Sequence, residues 1–172
     1  MSYLSPKLVT DIFLNPGDLY FGGPNVRVRT LLGSCVSIVL WHPKLHIGGM
    51  CHYLLVTKGD KNASGQPQGK YGEDAFQFLL NSVKSHLAPI SEYEAKVFGG
   101  SNMFSKNERT LIDPMNESNS KLVGIRNIEF AKDILQKHSI KLVSENTAGV
   151  THRKVFFTIW DGEVWLESHQ DS

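Results

Sequence analysis

Cys35 and His52 are the two side chains of this 172-residue chain whose types and spacing best suit nucleophilic chemistry. A cysteine attacks as its thiolate, and a neighbouring imidazole can take up the thiol proton. Cys35 follows Gly33-Ser34, and a turn before a nucleophile can expose the sulfur and direct backbone N–H groups at a developing oxyanion. Taken alone, however, a cysteine at the start of a strand is more often a small buried hydrophobic residue.

A β-hairpin is predicted to bring this cysteine and histidine together. Two apolar runs typical of strands, at residues 36–41 and 47–56, flank a four-residue turn at residues 42–45. If Trp41 faces His46 across the hairpin, Cys35 falls directly opposite His52, and directly opposed side chains project from the same face of a sheet. A one-residue change in the turn would move His52 to the other face. The spacing therefore permits a Cys–His pair.

Thr30 and Cys51 are the other candidates near this pair. Thr30 ends the preceding strand, so its hydroxyl could accept the histidine N–H and orient the ring, although a β-branched residue is also favoured there simply as part of a strand. Cys51 adjoins His52, but neighbouring strand residues point to opposite faces, so Cys51 is predicted to pack behind the site. The opposed faces and the absence of a Cys-x-x-Cys spacing also argue against a zinc site.

The composition limits the class of protein. The length suits a single domain spanning residues 1–172, and a net charge of +1 gives no electrostatic argument for binding nucleic acid or an anionic membrane. Two cysteines cannot form a disulfide framework and are expected to be reduced thiols. The N-terminus lacks the layout of a signal peptide, and no apolar run approaches the about 20 residues that span a bilayer. These features predict a cytoplasmic protein without membrane insertion.

Strand patterns lie at both ends of the chain, with two helical patterns between them. Helices are predicted over residues 71–87 and 128–138, the second with Asn127 as N-cap. The predicted strands are 9–14, 26–31, 36–41, 47–56, 95–98, 141–144, 155–160 and 163–167. Because strict β-α-β alternation is absent, the pattern predicts an α+β fold with helices on one face of an antiparallel or mixed sheet.

Several local predictions follow from breaker residues. Residues 57–70 and 105–121 are polar and are predicted to be loops, the first either a solvated connector or a flap over the substrate. Gly99-Gly100 after a strand indicates a tight turn or a close approach of two backbones. Asp161-Gly162 predicts a type I′ turn in the last hairpin. His42 and His46, in or beside the first hairpin turn, are predicted to face solvent.

Five short blocks of the sequence resemble the chemoreceptor glutamine deamidases of bacterial chemotaxis, the CheD family. They are Thr-Leu-Leu-Gly-Ser-Cys-Val at 30–36, Gly-Gly-Met at 48–50 leading to His52, Lys-Tyr-Gly at 70–72, Ala-Lys-Val-Phe-Gly-Gly at 95–100, and Gly-Ile-Arg-Asn at 124–127. The blocks occur in the family's order over nearly the whole chain. Any one of them would be a weak signal, but five in order are a strong one.

The resemblance implies that Cys35 is the nucleophile, His52 the general acid and base, and Thr30 the third member of a triad. It implies hydrolysis of specific glutamine side chains to glutamate in methyl-accepting chemotaxis receptors, without a metal or an organic cofactor. The implied fold is a layered α/β/β arrangement of mixed or antiparallel sheets, with two main helices packed on one face. The implied partners are receptor cytoplasmic domains and a CheC-type phosphatase.

Two alternatives to this function stay open at the level of sequence. The chain could be a regulatory module of chemotaxis that binds a CheC-type phosphatase without catalysing deamidation. It could also be a related cysteine amidohydrolase whose substrate is a protein other than a receptor.

Overall fold

The computed structural model of the chain describes residues 5–57, 68–103 and 114–168, with side chains in the last range from residue 122 onward. Within these residues it contains nine strands and two α-helices. In chain order they are β1 (Thr10–Leu14), β2 (Leu19–Gly22), β3 (Val26–Leu32), β4 (Val36–His42), β5 (Ile47–Cys51), α1 (Gly72–Lys84), β6 (Glu94–Gly99), α2 (Pro114–Lys137), β7 (Lys141–Thr147), β8 (Arg153–Thr158) and β9 (Glu163–Glu167).

The strands form two mixed sheets. One has five strands in the order β2-β5-β4-β6-β7, and the other has four in the order β1-β3-β8-β9. The β1–β3 and β6–β7 pairs are parallel, and the remaining pairs are antiparallel. The prediction of an α+β fold with mixed sheets is confirmed.

Two apolar layers hold the elements together. The first lies between the helices and one face of the five-stranded sheet, where Leu79, Leu135 and Ile38 are buried. The second lies between the other face of that sheet and the four-stranded sheet, where Val28, Met50 and Phe157 are buried. Each such side chain contributes about 1.5–3 kcal/mol on burial. The order of layers is therefore helices, five-stranded sheet and four-stranded sheet, which is the predicted α/β/β arrangement.

Helix α1 follows directly from its sequence. Its apolar residues recur at helical spacing and are buried: Ala75, Phe76, Leu79, Leu80 and Val83. Glu73 and Asp74 occupy the first turn, where the positive end of the helix dipole favours acids. The prediction of a helix over 71–87 is confirmed, and the helix ends a few residues earlier, at Lys84.

Helix α2 begins much earlier than predicted. It starts at Pro114, so Asn127 lies inside the helix and is not its N-cap, and residues 114–121 are helical where a loop was predicted. Proline suits the first helical position because its φ is fixed and its missing N–H is not needed there. The first half of α2 lacks a strong apolar stripe, so periodicity did not reveal it. The rest of that predicted loop, and residues 58–67 of the other, lie outside the described residues.

Two further local predictions are wrong. Strand β2, which Pro16-Gly17 and Gly22-Gly23-Pro24 flank, is missing from the predicted strands, but antiparallel pairing with β5 makes it a strand. The last hairpin has a four-residue loop between Thr158 and Glu163, since these two residues pair. Gly162 has a φ of 73° but Asp161 does not have a positive φ, which a type I′ turn requires at both positions.

Candidate active site

The β4–β5 hairpin positions Cys35 and His52 in a register two residues away from the predicted one. Trp41 pairs with Gly48, not His46, and the last bridge joins Val36 to Tyr53. Cys35 is therefore not directly opposite His52. A two-residue shift preserves the alternation of faces, so the two side chains remain on the same face, on either side of the last bridge.

The turn between β4 and β5 explains this shift. It comprises residues 43–46, and His46 adopts a left-handed φ of 52°, so the turn begins and ends one residue later than predicted. The Nδ1 atom of His42 accepts the N–H groups of Lys44 and Leu45 at 3.2 and 3.0 Å. His42 is only 2% exposed, so the prediction that it faces solvent is wrong. A buried imidazole thus fastens the turn.

Thr30 and His52 meet between the two sheets. Thr30 lies on β3 with its side chain buried against the five-stranded sheet, and its Oγ1 is 2.7 Å from His52 Nδ1. The same hydroxyl donates to the Leu14 carbonyl at 2.7 Å. Because the hydroxyl proton is used there, Oγ1 accepts from Nδ1–H. This arrangement fixes the neutral imidazole tautomer with its proton on Nδ1 and its lone pair on Nε2.

The Nε2 atom of His52 is buried and has no hydrogen-bond partner among the described residues. Burial lowers the pKa of His52 to about 4, against the opposing influence of the Asp18 carboxylate and the Leu14 carbonyl. The backbone of His52 is held by the β1–β2 connection, since its N–H donates to Asp18 and its carbonyl accepts from Gly17. The ring is therefore a fixed neutral base with an open lone pair.

Cys35 is half-buried at the edge of the apolar layer between the sheets. Burial raises the pKa of its thiol, and its own backbone N–H partly offsets that effect. A raised pKa for the Cys35 thiol and a lowered pKa for the His52 imidazole favour the neutral forms of both over a preformed thiolate–imidazolium pair. The chemistry that this arrangement supports is attack by the sulfur as the imidazole removes its proton.

Cys51 lies on the opposite face of β5, as predicted. It is fully buried in the apolar layer beneath the helices, and its Sγ is 3.8 Å from the Ile38 carbonyl. Burial raises its pKa to about 12. Cys51 thus packs away from the site. In the part of the chain that the structure describes, no three or more His, Cys, Asp or Glu side chains are grouped as metal ligands.

The Gly99-Gly100 turn presses against the backbone of Cys35, which confirms the predicted close approach. The N–H of Gly100 donates to the Cys35 carbonyl at 2.9 Å. Both glycines have positive φ, and a Cβ at Gly99 would lie 2.2 Å from the Cys35 carbonyl oxygen. The N–H groups of Ser34 and Cys35 donate to no other residue within the described ranges, so they are available to an oxyanion.

Arg153 is a supporting residue that the sequence did not reveal. It is buried, and its guanidinium donates to Ser101 Oγ and Asn146 Oδ1, each at 2.6 Å. Ser101 in turn donates its N–H to the Gly33 carbonyl at 3.0 Å. Burial lowers the pKa of Arg153. The arginine therefore braces the turn that carries Cys35, and an arginine at the start of a strand has no sequence signature that would reveal this role.

Asn127 is a second supporting residue, which the sequence predicted at the N-terminus of a helix and the structure places inside it. As an interior residue of α2 it is 1% exposed, and its side chain contacts the turn before Cys35 and the segment after His52. A buried asparagine inside an amphipathic helix could have been detected only if the full length of α2 had been recognised.

No helix among the described residues is long and apolar enough to cross a membrane.

Comparisons with known proteins agree on one family. A family model for CheD chemotactic sensory transduction matches residues 54–168. The chain is 40% identical over 162 residues to the probable chemoreceptor glutamine deamidase CheD 3 of Dechloromonas aromatica, covering 94% of this chain and 89% of that one. It is 39% identical over 165 residues to the probable chemoreceptor glutamine deamidase CheD 1 of Leptospira interrogans, covering 95% and 96%. The alignments with these two relatives extend over the segment that contains Cys35 and His52, whereas the family model begins after it.

A comparison with solved structures adds little. A Neisseria meningitidis protein of the DUF152 family aligns over 77% of this chain and 53% of its own, with a TM-score of 0.41 and 11% identity. That likeness is too low to support an argument.

Proposed function

The chain belongs to the CheD family, and on that premise we propose that it converts glutamine side chains of methyl-accepting chemotaxis receptors to glutamate through Cys35, His52 and Thr30. As a member of this family it is a glutamine deamidase, an enzyme that hydrolyses amides. The observation that best supports the three residues is the Thr30–His52 hydrogen bond, which leaves His52 Nε2 buried and without a partner among the described residues.

The first half of the reaction forms a thioester. Cys35 Sγ attacks the carbon of the glutamine side-chain amide while His52 Nε2 takes the thiol proton, and the carbonyl π electrons move onto oxygen. The free N–H groups of Ser34 and Cys35 donate to that oxyanion. When the tetrahedral intermediate collapses, the C–N bond breaks and His52 returns its proton to the departing ammonia.

The second half restores the enzyme. His52 Nε2 takes a proton from a water molecule as the water oxygen attacks the thioester carbon. The C–S bond breaks, glutamate is released, and the thiol of Cys35 is restored by the proton from His52. The net change is amide plus water to carboxylic acid plus ammonia, which at neutral pH are carboxylate and ammonium. Throughout both halves Thr30 keeps the Nδ1 proton in place, so that Nε2 always faces the reaction.

The proposal includes partners for the enzyme. Receptor cytoplasmic domains would be the substrate, so that the enzyme would act in the cytoplasm, and a CheC-type phosphatase would be a regulatory partner. Neither assignment depends on a cofactor, because the three side chains and water supply every proton and electron pair that the reaction needs.

The two cysteines provide the test. Cys35→Ala should lower ammonia release from a purified receptor cytoplasmic fragment by at least about 10³-fold, because the nucleophile is lost. Cys51→Ala is the matched control and should remain active, since Cys51 lies on the other face of β5. Mass spectrometry of receptor peptides identifies each converted glutamine.

The other outcomes separate the alternatives. Equal loss in both cysteine variants would overturn the assignment of Cys35. A wild-type protein that binds a CheC-type phosphatase but deamidates nothing would be a binding module. Deamidation of another protein, with receptor peptides untouched, would reveal a different substrate.

A further inference from the structure

Asn127 is a buried polar residue that the packing of α2 does not require. The helix is already anchored on the five-stranded sheet by apolar residues of its second half, among them Ala131 and Leu135. Burying an amide costs free energy unless its hydrogen bonds are made. Both side-chain bonds of Asn127 go to backbone carbonyls outside the helix.

These bonds join the two segments that carry the proposed nucleophile and base. The Nδ2 atom of Asn127 donates to the Ser34 carbonyl at 3.3 Å and to the Leu54 carbonyl at 2.7 Å. The hydroxyl of Tyr53 donates to the backbone carbonyl of Asn127. Ser34 directly precedes Cys35, and Tyr53 and Leu54 directly follow His52.

Both segments lie where the regular sheet has stopped. Strand β4 begins at Val36 and β5 ends at Cys51, so Cys35 and His52 are outside the continuous ladder. Their direct backbone connection is the single bridge between Val36 and Tyr53. An error of about 1 Å between reacting groups can cost about 10²-fold in rate, so the separation of such groups must be set by bonds other than the ladder.

We propose that Asn127 is a positioning residue that sets the separation of Cys35 Sγ and His52 Nε2 by holding the Ser34 and Leu54 carbonyls on one amide group. The inference rests on the proposed roles of Cys35 and His52. Tyr53 supports it from the same side, since its ring packs edge-on against Phe130 while its hydroxyl reaches the helix backbone.

The test measures alkylation of Cys35 by iodoacetamide across pH, which needs no receptor substrate. In wild-type protein, His52 accepts the thiol proton, so alkylation proceeds at neutral pH. In Asn127→Leu, which has a similar size but no donor, the rate at pH 7 should fall about 10-fold or more, and the profile should move toward that of His52→Ala. Asn127→Asp should behave in the same way, because its carboxylate cannot donate to either carbonyl.

Controls distinguish positioning from general damage. Asn81→Asp changes an asparagine on the exposed face of α1, where it accepts from Gln77, and should leave the profile unchanged. Tyr53→Phe removes one hydroxyl and should give a smaller shift in the same direction, which keeps the proposal testable if the Asn127 variants do not fold. With a receptor fragment, Asn127→Leu should lower kcat and leave KM within about twofold of wild type.

The outcomes are distinct. Alkylation profiles of Asn127→Leu and Tyr53→Phe that match wild type would overturn the inference even if deamidation is confirmed. An effect in Asn127→Asp alone would also overturn it, because the added charge and not the lost donor would then be responsible. A wild-type protein without deamidase activity, but with the expected alkylation profiles, would contradict the proposed function and leave the positioning role supported.

Discussion

The β4–β5 hairpin has a buried histidine at each end. The two differ in whether the Nε2 atom of the ring has a hydrogen-bond partner. His42 and His52 are each only 2% exposed. Both ring nitrogens of His42 are engaged, since Nδ1 accepts two backbone N–H groups and Nε2 lies 2.7 Å from Glu92 Oε2. His52 has Nδ1 engaged by Thr30, whereas its Nε2 has no partner among the described residues.

The difference shows that burial alone does not separate the proposed catalytic histidine from a structural one. Buried polar groups are nearly always hydrogen-bonded, and a fully bonded imidazole such as His42 serves the structure by fastening a turn. An imidazole held firmly through one nitrogen, with the other left open, is arranged to exchange a proton with something that arrives later. The open nitrogen of His52, and not its depth, therefore distinguishes it from His42.

The largest expected effect is the loss of activity on removing the imidazole of His52, with removal of the His42 imidazole as the comparison. His52→Ala should lower kcat/KM for a receptor fragment by about 10²–10⁴-fold, because the proposed general acid and base is lost. His42→Ala should retain kcat, but its free energy of unfolding should fall by about 1–3 kcal/mol, because the turn N–H groups lose their acceptor. Deamidation rates and urea unfolding of both variants provide the measurement. A comparable loss of kcat in His42→Ala would remove the distinction.

A smaller effect is expected from the bond that orients His52. Thr30→Val keeps the β-branched shape but removes the acceptor for Nδ1–H, which costs about 1–3 kcal/mol and should lower kcat about 10-fold to 100-fold. Thr30→Ser retains the hydroxyl and should recover most of the rate. Steady-state kinetics of the two variants decide the matter. If Thr30→Val were as active as wild type, the threonine would be only a strand residue.

The last expected effect is a dependence of stability on pH. The unfolded chain binds a proton at His52 with a pKa near 6.5, whereas the folded pKa is about 4, so between these values the unfolded state binds more protons. The stability contributed by neutral His52 is therefore present above pH 6.5 and is lost as the pH falls toward 4. Urea unfolding at several pH values should show this loss in wild type and in His42→Ala. His52→Ala should show less of it, and an unchanged dependence would contradict the lowered pKa.

Local sequence determined much of the framework. Strict alternation placed Cys35 and His52 on one face and Cys51 on the other, and this result survived a two-residue error in the hairpin register because the period of a strand is two. The apolar stripe of α1 was equally clear. The Gly99-Gly100 pair indicated a tight turn or a close backbone approach, and in the structure a side chain at Gly99 would collide with the Cys35 carbonyl.

Local sequence patterns did not predict the contacts between elements that are distant in the chain. The register of the hairpin depends on the residue at which its turn ends. In the folded hairpin, the hydrogen bonds of His42 to Lys44 and Leu45 fix the position of the turn. The start of α2 carried no apolar stripe, so Asn127 was placed at a helix end and its bonds to Ser34 and Leu54 were not foreseen.

The sequence by itself determined the residue types of the site, the faces on which they lie, the α+β class and, through its motifs, the family. The tertiary structure alone decided that the expected Thr30–His52 hydrogen bond joins β3 to the segment after β5, that Nε2 is left open, and that Arg153 and Asn127 brace the turn of Cys35. The physical reason is the separation along the chain over which each interaction acts. Alternation and periodicity act between neighbours in the chain, whereas hydrogen bonds between layers form only when the whole chain has packed.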